Sequence, residues 1–327
     1  MYQRFYGLRE LPFELTANPK YLCLTPLYRE ALSTLQYGLS AAKAITVLIG
    51  EAGTGKTTLL RAALGSERCR QVHCVYLNNP ALMRGEFFEM LARSLGLSAE
   101  AARSKAVLLD ELESALRASR SRGEITALAV DEAQSLSMGL LEEIRLLANI
   151  ETVTEKLLPI VLVGQPDLGV YLEDRGLRQL KQRVALRCEI APFDLAETAA
   201  YIATRIKTAG GSAIRLFTKE AVILIHEYSG GIPRTISVIC DNALLHGLAL
   251  GHQPVGQDVV REVCRDFRLG GPLAKRPVSA GVQGSMGTAH PHAGHLSSEA
   301  ERQGDGSEQG AQAGQRRFGL SVQGGTR

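Results

Sequence analysis

The sequence predicts an α/β fold, a parallel sheet flanked by helices and built around a phosphate-binding loop, followed by a smaller all-helical part. Three observations predict it. Residues Gly50-Glu51-Ala52-Gly53-Thr54-Gly55-Lys56-Thr57 match G-x-x-x-x-G-K-[ST] at every fixed position. Between residues 41 and 192, short apolar runs alternate with longer amphipathic stretches, the rhythm of parallel strands joined by crossover helices. From residue 194 to about 268, helical periodicity continues without strand-like runs.

Residues 1–40 are rich in aromatics and prolines and end in a helical pattern from Pro26 to Leu39. Strands are expected near 44–49, 72–77, 125–130, 159–164 and 186–190. Helices are expected near 57–64, 85–96, 104–120 and 138–150, then near 195–209, 218–228, 233–249 and 256–266. From Gly270 onward Gly, Ser, Gln, Ala and isolated charges dominate, and large apolar residues nearly vanish apart from Phe318-Gly319-Leu320. A segment of that composition cannot bury enough apolar surface to offset its ordering entropy, so disorder is expected there. His290, His292 and His295 lie in it and read as part of a solvated linker. The chain thus divides into an N-terminal segment (1–40), a phosphate-loop α/β domain (41–192), a helical domain (193–268) and a disordered tail (269–327).

Composition sets outer limits. Hydrophobic residues make up 45% and charged residues 22% of the 327, ordinary for a soluble globular chain, and the net charge of +3 does not by itself call for nucleic acid. No stretch approaches the roughly 18 uncharged apolar residues of a membrane span. The start, Met1-Tyr2-Gln3-Arg4-Phe5, has no continuous apolar core and does not read as a secretion signal. The six cysteines form no C-x-x-C pair, which points to free thiols in a reducing cytoplasm.

The chemistry lies in two clusters. In the first, the strand near 44–49 ends, the loop wraps a phosphate, and a helix begins whose unpaired N–H groups and positive dipole end face the anion. Gly50, Glu51, Ala52, Gly53, Thr54, Gly55, Lys56, Thr57 and Thr58 are the expected nucleotide-binding residues. Gly53 and Gly55 allow backbone angles that let the loop close, Lys56 reaches the β- and γ-phosphates, and the Thr57 hydroxyl ligates Mg²⁺. In the second cluster, the strand Ile125 to Val130 ends in Asp131-Glu132. Asp131 is expected to hold Mg²⁺ through water, and Glu132 to take the proton of an attacking water. Gln165 ends the run Leu158 to Gly164, where a polar side chain would lie between the γ-phosphate and Glu132 and orient water or sense phosphate.

A family resemblance follows from these residues and others. Phe5-Tyr6-Gly7-Leu8-Arg9-Glu10-Leu11-Pro12-Phe13, Leu15-Thr16-Ala17-Asn18-Pro19, the phosphate loop and Val130-Asp131-Glu132-Ala133-Gln134 resemble ExeA-type ATPases, the general secretion pathway protein A group of the AAA+ superfamily. Gly164-Gln165-Pro166-Asp167-Leu168, Gln182-Arg183-Val184 and Gly231-Ile232-Pro233-Arg234 extend the likeness over most of residues 1–268. The resemblance implies an AAA+ P-loop core with a small α-helical lid, ATP and Mg²⁺ as ligands, and ATP hydrolysis by a homo-oligomer. It also implies a protein partner in a secretion or export assembly, and a cytoplasmic location attached to the inner membrane through that partner. Arg234 then falls at the position called sensor 2, over the phosphates, and Arg183 is the candidate arginine finger for a neighbour's γ-phosphate, with Arg178 and Arg187 competing. The N-terminal segment would lie over the nucleotide, with Phe13, Leu15 and Pro19 as apolar contacts. In this branch an additional strand is inserted between the neighbours of the loop strand and the sheet edge, and Val72 to Leu77 is available for that place. Relatives in secretion commonly carry a membrane span after the ATPase part, where this chain is expected to have the disordered tail. The alternative is a DNA-associated ATPase of the TniB type, which regulates transposition. Arg117, Arg120, Arg122, Arg175 and Arg178 are scattered and form no dense basic block.

Overall fold

Five apolar runs become the five strands of one parallel sheet, β1 (Ile45–Gly50), β2 (Val72–Leu77), β3 (Ile125–Val130), β4 (Ile160–Gly164) and β5 (Val184–Ile190), ordered β2-β3-β4-β1-β5. The computed structural model describes residues 1–78 and 81–269. β1, β3 and β4 are buried at every position, because helices cover both faces of a parallel sheet and leave no polar side. The two edge strands β2 and β5 alternate in exposure instead. The strand Val72–Leu77 does not take the inserted place expected of it. It forms the edge, and β4 stands between the loop strand β1 and the Asp131 strand β3.

The helices are α1 (Gln3–Tyr6), α2 (Pro26–Ser40), α3 (Lys56–Leu64), α4 (Arg84–Ser94), α5 (Lys105–Ser121), α6 (Met138–Leu147), α7 (Pro166–Leu172), α8 (Arg178–Lys181), α9 (Leu195–Thr208), α10 (Ala213–Leu216), α11 (Lys219–Ser229), α12 (Pro233–Leu250) and α13 (Gln257–Asp266). Side-chain alternation along β1 sorts the core into two layers. Ile45, Val47 and Ile49 pack with α4, α5 and α6, whereas Leu48 packs with α2, α3 and the helices after residue 194. Buried Glu143 on α6 ties the first layer together, pairing with Arg84 of α4 and with Lys105 of α5 at 2.7 Å. Helix α7 is absent from the sequence expectations. Pro166 stands in its first turn, where the missing N–H costs nothing.

The helical part begins with a capping box in which Asp194 accepts from the Glu197 N–H at 2.7 Å and the Glu197 carboxylate accepts from the Asp194 N–H at 3.1 Å. Its core joins Ile202 and Ile206 of α9, Ile225 of α11, Ile236 and Leu244 of α12 and Val260 of α13. The N-terminal residues pack on the same helices. Tyr2 donates to Asp241, and the Arg9 N–H reaches the Ala209 carbonyl at 2.8 Å. All six cysteines are free, as their spacing suggested. The tail expected to be disordered, with its three histidines, lies outside the described residues from 270 onward.

One glycine joins the sheet part to the helical part. Gly231 has φ +75°, and its carbonyl accepts from the Phe193 N–H at 2.8 Å. A Cβ added there would lie 1.9 Å from the Phe193 carbonyl oxygen. Gly231→Ala is therefore expected to cost about 3 kcal/mol, from a left-handed conformation forced on an L residue and a backbone clash. Chemical denaturation is the measurement, and a midpoint within error of the parent would refute this account of the junction.

Candidate functional site

Strand β1 delivers the chain to Gly50, and α3 takes it up at Lys56. The turn between them needs two left-handed residues, Gly53 at φ +80° and Gly55 at φ +93°. Gly53 is needed for a second reason, since an added Cβ would meet the Arg234 Cβ and the Ile232 Cγ2, each at 3.0 Å. The loop is braced from within. The Thr54 hydroxyl donates to the Glu51 carbonyl at 2.8 Å, and the Tyr28 hydroxyl donates to the Thr54 carbonyl at 2.6 Å. Lys56, only 5% exposed, sends its ammonium to the carbonyls of Gly50 at 2.8 Å and Glu51 at 3.0 Å. Burial draws its pKa down, against the opposing pull of Glu132, Asp131 and Glu51.

Asp131 arrives from the far side of β4. Its buried carboxylate accepts the Thr57 hydroxyl at 2.6 Å and the Tyr76 hydroxyl at 2.7 Å. Its other oxygen takes the Glu132 N–H at 3.0 Å. Glu132 has φ +52°, a conformation that non-glycine residues adopt only where the surroundings impose it. Its carboxylate accepts the Gln134 amide at 2.6 Å and the Gln165 amide at 3.1 Å, while the Gln134 side-chain oxygen takes the Gln165 N–H at 3.0 Å. Burial raises the Glu132 carboxyl, and the two amide donors with the Lys56 ammonium outweigh it, leaving the group below the usual carboxylate range.

Part of this set faces one cavity of about 240 Å³, with Asp131 just behind it on Thr57. Gly53, Gly55, Lys56, Thr57 and Thr58 line it from the loop and α3, Glu132 from the end of β3, and Arg234 from the start of α12. Gly50, Glu51, Ala52 and Thr54 do not line it; the first two serve through the carbonyls that hold Lys56. The Arg234 N–H donates to the Gly53 carbonyl at 3.1 Å, so the helical part touches the loop directly. Gln165 reaches the group through Glu132. Arg183 is not brought to this cavity. It precedes β5, whose first residue pairs with Ile45 at the opposite end of β1 from the loop. Its competitor Arg187 is engaged by Glu189 at 2.6 Å. Leu15 lines the cavity, whereas Phe13 is buried against Phe217 in the helical core.

The donor set fits a polyphosphate with a divalent cation. The first turn of α3 leaves N–H groups without intrahelical partners, beside a buried ammonium. Among the described residues, no cluster of three or more His, Cys, Asp or Glu could hold a metal alone. Thr57 and Asp131 offer two adjacent oxygens, the partial set that suits Mg²⁺ completing its shell with water and phosphate. Tyr76 and Gln134 escaped the sequence reading. Gln134 carried a usable signal, a polar residue two places beyond Glu132; Tyr76 carried none, since its partner is 55 residues away. The arginines weighed for DNA are neutralised in part, because Arg117 pairs with Glu113, Arg120 with Glu155 and Arg122 with Glu124. Among the described residues, no helix is long and apolar enough to cross a membrane.

The AAA domain family matches residues 40–172. General secretion pathway protein A of Aeromonas hydrophila is 38% identical over 260 residues, covering 79% of this chain and 47% of that protein. The chain thus spans about half the length of that relative. Among solved structures, the ORC2 protein of Aeropyrum pernix in its ADPNP-ADP complexes is similar with a TM-score of 0.60 at 18% identity, over 78% of this chain and 71% of that one. Cdc6p of Pyrobaculum aerophilum gives a TM-score of 0.59 at 19% identity, over 78% and 70%. At these identities the solved structures establish a shared fold.

The Gln134 contacts generate an expectation of their own. Gln134→Ala leaves Glu132 with one amide donor, and if Glu132 serves as a base, nucleotide turnover should fall about tenfold with KM unchanged. Steady-state phosphate release measures it, and a parental kcat would show that Gln134 does not position Glu132.

Proposed function

We propose that the chain, which matches the AAA domain family over residues 40–172 and is similar to general secretion pathway protein A, is an AAA+ ATPase of that group: it binds ATP with Mg²⁺, hydrolyses it to ADP and phosphate, and couples the cycle to assembly or remodelling of a protein partner in a secretion or export system. One observation carries the reading. The Thr57 hydroxyl and the Asp131 carboxylate, 74 residues apart in sequence, are in hydrogen-bond contact at 2.6 Å beside a cavity that Glu132 also lines.

Each residue then has a task. The loop N–H groups and Lys56 bind the β- and γ-phosphates, with Lys56 exchanging its loop carbonyls for phosphate oxygens. Thr57 and Asp131 would hold Mg²⁺, which when bound neutralises charge on the phosphate oxygens. Glu132 accepts the proton of the attacking water, and Gln165 orients that carboxylate or the water. Arg234 adds positive charge from the lid side. Arg183 stands away from its own cavity, which suits service to a neighbouring protomer in a homo-oligomer. A finger supplied in trans is worth roughly 10³–10⁵ in rate. The proposed site of action is the cytoplasmic face of the inner membrane, reached through the partner.

Phosphate release without an added acceptor tests the activity. Lys56→Ala should abolish nucleotide binding, while Glu132→Gln should retain ATP and cut turnover by about 10²-fold or more. A Glu132→Gln protein that hydrolyses ATP at the parental rate would overturn the assignment of the base. Activity per protomer should also rise with protein concentration and lose that dependence in Arg183→Ala. A flat profile from a monomer would remove the role in trans.

A further inference from the structure

Arg205 on α9 is 7% exposed, and its guanidinium hydrogen-bonds to no carboxylate among the described residues. Its Nε donates to the Pro12 carbonyl, Nη2 to the Glu14 carbonyl at 2.9 Å, and Nη1 to the Tyr201 hydroxyl and, at 3.5 Å, to the Ser237 hydroxyl. The rings of Tyr21, Tyr201 and Phe13 surround it at 4.8, 5.3 and 6.0 Å. A buried cation is costly unless its donors are satisfied. Here the planar fork grips two peptide oxygens on either side of Phe13, a use that suits arginine and not lysine.

What is gripped matters for the site. Immediately after Phe13, residues Glu14–Ala17 line the 240 Å³ cavity, opposite the phosphate loop and Glu132. The other end of that stretch is tied to the sheet part, where Arg61 of α3 donates to the Ala17 carbonyl at 3.2 Å. Leu15, between the two ties, is 56% exposed, so the stretch has little packing of its own. We propose that Glu14–Ala17 is a strap along the nucleotide cavity, pinned to the lid by Arg205 and to the loop helix by Arg61, and that these two arginines are positioning residues that set how fast nucleotide leaves. The inference rests on the nucleotide reading above and adds a function for Arg205, which itself lines the cavity, and for Arg61, which does not. Release of either pin frees one wall of the cavity. The lid pin is the stronger, since a buried cation makes several bonds there, and the Arg61 pin is a single exposed one.

The test is the displacement of a fluorescent ADP analogue by excess ATP, followed by stopped flow on the full chain. Dissociation should quicken about tenfold in Arg205→Lys and about threefold in Arg61→Ala, the loss of several charge-assisted bonds against the loss of one. Single-turnover phosphate release in Arg61→Ala should match the parent, which separates strap release from damage to the phosphate site. Because Arg61 is exposed, its variant also keeps the test sound if Arg205→Lys unfolds. Parental dissociation rates in the folded variants would overturn the strap while leaving the nucleotide reading intact. A parent chain that fails to bind the analogue at all would overturn both.

Discussion

The hydrogen bond between Thr57 and Asp131 is the constraint on which the site depends. It joins the first turn of the loop helix to the end of β3, and β3 is not a neighbour of the loop strand. The geometry therefore requires β4 to stand between them with its own tip, Gln165, in reach of Glu132. The ends of β1 and β3 then meet at one cavity, and the end of β4 supports it through Glu132. A parallel sheet makes this natural, because every strand ends on the same side and loops carry polar residues where no ladder consumes them.

A second convergence comes from the helical part. Arg234 approaches so closely that a Cβ at position 53 would lie 3.0 Å from its own Cβ, and its N–H bonds to the Gly53 carbonyl. The Gly230-Gly231 turn, with φ of +58° and +75°, sets the angle at which α12 leaves. The phosphate loop, the helical part and residues Glu14–Ala17 meet around one cavity.

Much of this was legible in the sequence, for identifiable reasons. The runs Ile45–Gly50, Ile125–Val130 and Ile160–Gly164 are buried on both faces and stand out as unbroken apolar stretches. β5 begins at Val184 rather than 186, because an edge strand alternates in exposure and Arg187 and Glu189 break it up, so no unbroken apolar run marks its bounds. Helix α7 was hidden by Gln165-Pro166, which resembles a loop until the proline is seen as a helix start. The position of Val72–Leu77 at the edge was not legible, since the order of parallel strands is set by crossovers rather than by local pattern. The phosphate loop and Asp131-Glu132 announce themselves because their chemistry demands fixed residue types. Tyr76, Gln134 and Arg205 act through partners in other elements, and nothing adjacent to them in the chain marks the contact.

The two polar clusters must serve one ligand for the site to work. A high-resolution structure with Mg²⁺ and a non-hydrolysable ATP analogue tests that most directly. The expected result has the Thr57 hydroxyl on the metal, Asp131 in its coordination shell directly or through water, and Glu132 facing the terminal phosphate. An analogue bound in the cavity with Asp131 turned away from the metal would contradict it.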